Sequence, residues 1–303
     1  MKHVIVTGAS GFIGRALVKR LISEQYSVCA VVRRYDRISD LCCPNLSIVE
    51  EELDNYAHLA EKLVPNQYDT FFHLAWDGIF GDPSKDYRRQ LNNAAAAADA
   101  LMAAVKLNCR QFILAGTCAE LEALELIKPD CQHMRTGCIY GTAKAAAEMI
   151  CKVLARENKI DFNAAILAST YGEGDRSDTI QNVLIRALLE GRSPKLLQGE
   201  ILYDWLYVDD AVSALLAISQ HGKPNRSYYV GHDELHTFKE LVTKTRDIIA
   251  PSVRLRFGEY PEGVRIDYSK VDLTALYRDT GFKCQADLCS SIKKTADWLK
   301  STS

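Results

Sequence analysis

The chain has 303 residues, 48% of them hydrophobic and 25% charged, with a formal net charge of −2. Such a chain can bury the core of one large domain or two unequal ones, and it has no basic excess to neutralise a nucleic-acid backbone or an anionic membrane. Neither nucleic acid nor membrane is expected as a partner, and the lack of a charged leader or an eighteen-residue apolar window leads us to expect a cytoplasmic location.

The first apolar run, "HVIV", leads into "TGASGFIG" and then into "FIGRALVKRLISEQ", where Phe12, Ala16, Leu17 and Leu21 recur at helical spacing. This predicts a strand, a glycine-rich turn and a helix. Further unbroken apolar runs follow at "YSVCAVV", "YDTFFHLA", "RQFILAG" and "DFNAAILAS", with segments between them that can be helical. Runs without polar alternation suit strands covered on both faces, and strand-helix alternation suits a parallel sheet. Two of the intervening helices, "NNAAAAADALMAAVKL" and "GTAKAAAEMICKVLAREN", are rich in alanine, which suits both close helix approach and high helix propensity. From about Tyr171 the pattern turns irregular around a helix, "TIQNVLIRALLEG", a loop, "RSPKLLQGE", and one last helix of the main domain in "YDWLYVDDAVSALLAIS". The expected fold is α/β: a Rossmann-type doubly wound parallel sheet over 1–168 plus 200–231, with a smaller C-terminal substrate-binding domain over 169–199 plus 232–303.

The glycines suggest what the first turn holds. Gly8 can make the tight turn, Gly11 removes a Cβ where a phosphate must approach, and Gly14 lets helix and strand pack closely. The helix N-terminus, with Ser10, Phe12 and Ile13 between and beside the glycines, then offers N–H groups to a pyrophosphate. For NAD, a carboxylate is expected at the end of the second strand to hold the ribose 2′-hydroxyl. Here the strand ends "AVVRRYDR", with Val32 near the acidic position and Arg33 and Arg34 after it, charge suited to a 2′-phosphate. NADP(H) is the preferred cofactor on this reading and NAD(H) a possible one; the alternative is a solvated basic turn with Asp36 serving the ribose.

Downstream, "YGTAK" sets Tyr140 and Lys144 four residues apart, on one face of a helix that follows a strand. Bringing a tyrosine from a pKa of ~10 to ~7 requires about 4 kcal/mol, which an ammonium ~4 Å away at an effective dielectric of ~20 supplies.

In order and spacing, "TGASGFIG", "HLAW", "LAGT", "YGTAK" and "YDWLYVDDAV" resemble the extended short-chain dehydrogenase/reductases over nearly the whole chain, and within them the NAD(P)-dependent sugar-nucleotide epimerase/dehydratases. The resemblance implies Tyr140 as acid/base, Lys144 as the group that lowers its pKa and holds the nicotinamide ribose, and Thr117 as hydroxyl partner of the reacting sugar oxygen. It implies that Glu52 and Leu53 contact adenine, that the backbone of Leu74 and Ala75 lines the cofactor, and that Ser169 lies near the carboxamide. It further implies a nucleotide-sugar substrate and a homodimer built on the two alanine-rich helices. In the sugar-binding half Tyr203 replaces the usual arginine before Asp204, which leaves the diphosphate contacts unassigned.

The family's 4,6-dehydratases place an acidic pair after the hydroxyl residue, whereas here Cys118 and Ala119 follow Thr117, so dehydration is not expected. Reduction of the 4-keto group of a nucleotide-activated 6-deoxy sugar by NADPH is the expected reaction, with an NAD-dependent nucleotide-sugar 4-epimerase as the alternative and a non-catalytic NADP-binding sensor as a second. The seven histidines and ten cysteines show no metal-ligand spacing, so no metal is expected; His73 is expected to be structural, and most cysteines small buried apolar residues.

Overall fold

The computed structural model describes residues 2–131, 135–260 and 266–302. Strand β1 (His3–Thr7) leads through α1 (Phe12–Ser23) to β2 (Ser27–Val32) and β3 (Leu46–Glu50). The chain then returns to the other side of β1 as β4 (Thr70–His73), followed by α2 (Tyr87–Lys106), β5 (Gln111–Thr117), the short α3 (Ala119–Ala123), α4 (Cys138–Asn158) and β6 (Asp161–Leu167). After it come β7 (Ser169–Tyr171), α5 (Ile180–Leu189), β8 (Leu202–Tyr203), β9 (Trp205–Tyr207), α6 (Val208–His221) and β10 (Arg226–Val230). The chain ends with β11 (His236–Thr237), α7 (Phe238–Ile249), α8 (Ala275–Thr280) and α9 (Leu288–Thr302).

The central sheet has seven parallel strands in the order β10-β6-β5-β4-β1-β2-β3. This is the doubly wound Rossmann-type arrangement read from the sequence. Its strand order reverses between β1 and β4, and a crevice at the carboxyl ends of the strands is the ligand site such a reversal creates.

The five apolar runs became the central strands, buried on both faces by helices. Two strands that the sequence did not reveal lie at the edges. In β3, "LSIVE", exposed and half-buried residues mix because only one neighbour covers it. In β10, "RSYYV", the first two residues are polar and only the last three are buried.

One apolar core fills the space between the sheet and its helices; a second gathers Tyr171, Leu184, Trp205, Phe238 and Ile292 beside the cleft. The chain crosses between them: Ala275 and Leu276 of α8 pack into the first, while Trp205, Tyr207 and Val208 pack into the second. Contrary to the sequence reading, only four of the ten cysteines, all ten of them free thiols, are buried: Cys29, Cys109, Cys138 and Cys151. Of the others Cys42 is exposed and five are half-buried, because they lie outside the central strands and the helix faces packed on them. No helix among the described residues is long and apolar enough to cross a membrane.

Candidate active site

A cleft of about 1870 Å³ opens at the carboxyl ends of the strands. Its floor begins at the glycine turn. Gly8 has φ +66, and a Cβ there would lie 2.7 Å from the backbone of Leu74 and Ala75. The turn after β1 and the end of β4 therefore approach more closely than a side chain allows. A Cβ on Gly14 would collide with the Gly8 carbonyl, so α1 rests directly on the turn. Gly11 is the N-cap of α1 and no side chain caps this helix, which leaves its first N–H groups for an anion in the cleft. This cradle fits the diphosphate of a dinucleotide.

At the end of β2, Arg33, Arg34 and Arg37 line the cleft together with Val32. Arg34 grips Asp36 through Nε and Nη2 at 3.1 and 2.7 Å, while Arg33 lies 3.6 Å from Asp77, which also pairs with Arg89. Asp36, the alternative ribose ligand, is therefore turned onto Arg34. Sequence reasoning had not singled out Arg37 or Asp77. Glu52 and Leu53, Leu74 and Ala75, and Ser169 also line the cleft. Ser169 is fixed from α5 by Gln181, whose Nε2 donates to its Oγ at 2.8 Å and to its carbonyl at 3.1 Å.

Thr117, Tyr140 and Lys144 converge at the mouth between β5 and α4. Thr117 closes β5, and its Oγ1 accepts the Ala119 N–H at 3.3 Å. The Lys144 Nζ donates to the Ala115 carbonyl at 2.7 Å and lies 4.0 Å from the centre of the Trp76 ring. Trp76 also meets the Tyr140 ring edge-on at 6.1 Å, and its Nε1 donates to Gln90 at 2.8 Å. Gln90 and Asn93, both buried in α2, hold the loop after β4 through its own backbone. Trp76 thus forms a wall over the lysine.

Burial pushes the Lys144 ammonium down to about 8 against the opposing pull of Glu120. The same burial raises the Tyr140 phenol above its ordinary value, offset in part by a hydrogen bond with Thr117. Contrary to the sequence reading, desolvation with the neighbouring Glu120, and not the lysine, sets the phenol, so the resting tyrosine is held in its protonated form.

Two further carboxylates that a sequence pattern would place on a solvated helix turn are buried. Glu120 is 3% exposed and Glu122 5%. Glu120 Oε1 accepts the Thr117 N–H at 2.7 Å; Glu122 binds Arg135, whose Nε donates at 3.0 Å, and Arg135 faces the cleft. On the opposite wall Tyr203 is half-buried, with its hydroxyl against Ser169. Asp204 accepts from the Tyr229 hydroxyl at 2.8 Å and the His232 N–H at 2.9 Å, and lies 2.7 Å from His232 Nδ1. His73 sits beneath the cleft with Nδ1 2.9 Å from Thr7 Oγ1. Burial drives its pKa to about 3, so it stays neutral and structural. Among the described residues no cluster of His, Cys, Asp and Glu is arranged to hold a metal.

Residues 4–231 match the profile of the NAD dependent epimerase/dehydratase family. Over 310 residues the chain is 25% identical to a dTDP-glucose 4,6-dehydratase of Streptomyces griseus, covering 98% of this chain and 93% of that protein. Its fold superposes on a UDP-N-acetylglucosamine 4-epimerase of Methanobrevibacter ruminantium in complex with UDP-N-acetylmuramic acid (TM-score 0.83, 22% identity, 100% and 99% of the two chains). It likewise superposes on a UDP-glucuronic acid 4-epimerase of Bacillus cereus bound to UDP-glucuronic acid and NAD (TM-score 0.79, 19% identity, 100% of each chain).

Proposed function

We propose that this chain, which belongs to the NAD-dependent epimerase/dehydratase family, reduces the 4-keto group of a nucleotide-activated 6-deoxy sugar at the expense of NADPH. The observation that carries the reading is the end of β2, where three arginines border the cleft and Asp36 is held by Arg34. An enzyme that consumes reductant draws on NADPH, and these guanidinium groups suit its 2′-phosphate. The chemical end supports the same reading. Cys118 and Ala119 follow Thr117 and supply no acid-base pair for dehydration, while burial keeps Tyr140 protonated, the state a proton donor needs.

The bound cofactor supplies the hydride. Tyr140 donates its phenolic proton to the oxygen of the C4 carbonyl as that carbon is reduced, and the Thr117 hydroxyl steadies the same oxygen. Lys144, held by the Ala115 carbonyl and the Trp76 face, places a positive charge beside the tyrosine as it gives up its proton. Trp76 and the loop pinned by Gln90 and Asn93 shield this end from water. When bound, the cofactor would have its adenine at Glu52 and Leu53, the backbone of Leu74 and Ala75 lining it, and its carboxamide near Ser169.

A nucleotide-sugar 4-epimerase is the second reading, favoured by the epimerases among its structural neighbours, one of which is bound to NAD. We further propose a homodimer through the outer faces of α2 and α4, where Leu91, Met149, Ile150 and Val153 are exposed. The deciding experiment is incubation with a panel of 4-keto-6-deoxy and 4-hydroxy sugar nucleotides, with NADPH and NADH side by side, followed at the nicotinamide absorbance. Oxidation of NADPH by a keto sugar supports the reductase. Interconversion of hydroxy sugars without net cofactor change overturns it in favour of the epimerase.

A further inference from the structure

Helix α4 carries titratable side chains at intervals of four residues: Tyr140, Lys144, Glu148 and Lys152. That spacing stacks them on one helix face. The row begins in the cleft and ends at the surface, with Lys144 buried and the Lys152 side chain 39% exposed. Lys152 Nζ donates to Glu148 Oε1 at 2.5 Å, and the Ser227 hydroxyl, from β10, donates to the same oxygen at 2.6 Å.

From α3, Glu120 enters the row between Lys144 and Glu148. Its carboxyl accepts the Thr117 N–H, lies so close to Gly116 that a Cβ there would stand 2.7 Å from its Oε1, and is hydrogen-bonded to Glu148. Glu120 is buried and Glu148 only half-buried and paired with Lys152, so two carboxyl groups in contact, which resist ionising side by side, leave the proton on Glu120. The charged groups facing Glu120 are Lys144 and Glu148 of α4; Glu122, two residues further along α3, is tied up by Arg135.

We propose that Glu120 and Glu148 form a shared-proton pair linking Lys144 to solvent at the Lys152 and Ser227 end of the helix, so that the proton given up by Tyr140 is replaced through the protein interior. The proposal rests on the reductase reading in one respect: net reduction takes up one proton per turnover, whereas epimerisation takes up none. The proton leaves the Tyr140 hydroxyl for the substrate oxygen; the phenolate takes one from the Lys144 ammonium; the amine takes one from the Glu120 carboxyl; and the carboxylate left behind is reprotonated from water by way of Glu148. Burial and the neighbouring Glu148 raise the Glu120 pKa to about 8, which keeps the pair loaded at neutral pH.

Two measurements on the full chain test this. The first needs no substrate: infrared difference spectra in H2O and D2O across the pH range, on the wild type, Glu120→Gln and Glu148→Gln. A protonated-carboxyl band persisting at neutral pH, shifted in D2O, abolished by Glu120→Gln and titrating at lower pH in Glu148→Gln, supports the pair. Its absence from the wild type, or an unchanged titration in Glu148→Gln, overturns it. The second uses dTDP-4-keto-6-deoxyglucose with NADPH. Glu148→Gln should leave the first turnover and KM unchanged while kcat falls about tenfold with a larger solvent isotope effect, and imidazole buffer should restore the rate. An unchanged kcat, or an equal loss in the first turnover, overturns the path and leaves Glu148 a structural residue. If the wild type reduces no keto sugar at all, the reductase reading fails and the infrared result alone decides the pair.

Discussion

Replacing Arg33 and Arg34 together by alanine should abolish most of the discrimination between NADPH and NADH. A hydrogen bond to a charged group contributes about 1.5–3 kcal/mol. Each arginine already has a partner, however: Arg34 holds Asp36 at 2.7 and 3.1 Å, and Arg33 lies 3.6 Å from Asp77. Both side chains are 67% exposed, so giving up or sharing those pairs costs about 0–1 kcal/mol each. The net gain from a 2′-phosphate is then about 1–2 kcal/mol per arginine, or roughly five- to thirtyfold in affinity. The double substitution should weaken NADPH by about a hundredfold and leave NADH within about threefold, with Arg37→Ala adding a smaller loss. Calorimetric titration of both cofactors at two salt concentrations measures this, and the NADPH preference should shrink as salt screens the site. Asp36→Ala provides the control: it frees Arg34 and should not weaken NADH, whereas a carboxylate serving the ribose hydroxyl would cost NADH affinity. Equal wild-type affinity for the two cofactors would refute the argument and leave the arginines a solvated turn, with the self-recycling epimerase as the better reading.

Tyr140→Phe should cost about two to four orders of magnitude in turnover while NADPH affinity, read by fluorescence titration, stays unchanged, since the hydroxyl serves the substrate oxygen. Gly14→Ala drives a Cβ into the Gly8 carbonyl and should lower stability by about 1–3 kcal/mol and weaken both cofactors alike, checked by thermal melts with and without ligand. Because burial brings Glu120 up to about 8 and Lys144 down to about 8, the pair gives up its proton as pH rises through that value, and reduction should decline on the alkaline side; Glu120→Gln removes the carboxylate that raises Lys144 and should move the decline to lower pH, seen in kcat profiles. Light scattering should give a dimer for the wild type and a monomer for Leu91→Glu combined with Val153→Glu, since both side chains are exposed on the outer faces of α2 and α4.

What the sequence revealed was what neighbours along the chain determine. The strand, turn and helix around Gly8 and Gly14 are legible because glycine is required there by contacts within a few residues and with one adjacent strand end. Tyr140 and Lys144 are legible because a four-residue interval has one meaning on a helix. Glu148 and Lys152 continue that interval, yet "AAAEMICK" gives no sign that α3 brings a second carboxyl against it, and only burial distinguishes Glu120 from a solvated residue of a first helical turn. The edge strands β3 and β10 escaped for the opposite reason: with a neighbour on one side only, they need not be continuously apolar.

The same contrast governs function. The residues on which the proposed cofactor choice rests lie in a single stretch at the end of β2 and can be examined one by one. The substrate end is assembled from distant segments: Trp76 from the loop after β4, Arg135 from the approach to α4, Tyr203 from β8, and Tyr268 from the segment before α8. Arg135 meets its counter-charge on α3 and Tyr203 its partner at the start of β7. Substrate identity is therefore a property of how these segments meet, and a change of specificity at this site should require coordinated substitutions in several of them, whereas a change of cofactor should need only the residues from Val32 to Arg37.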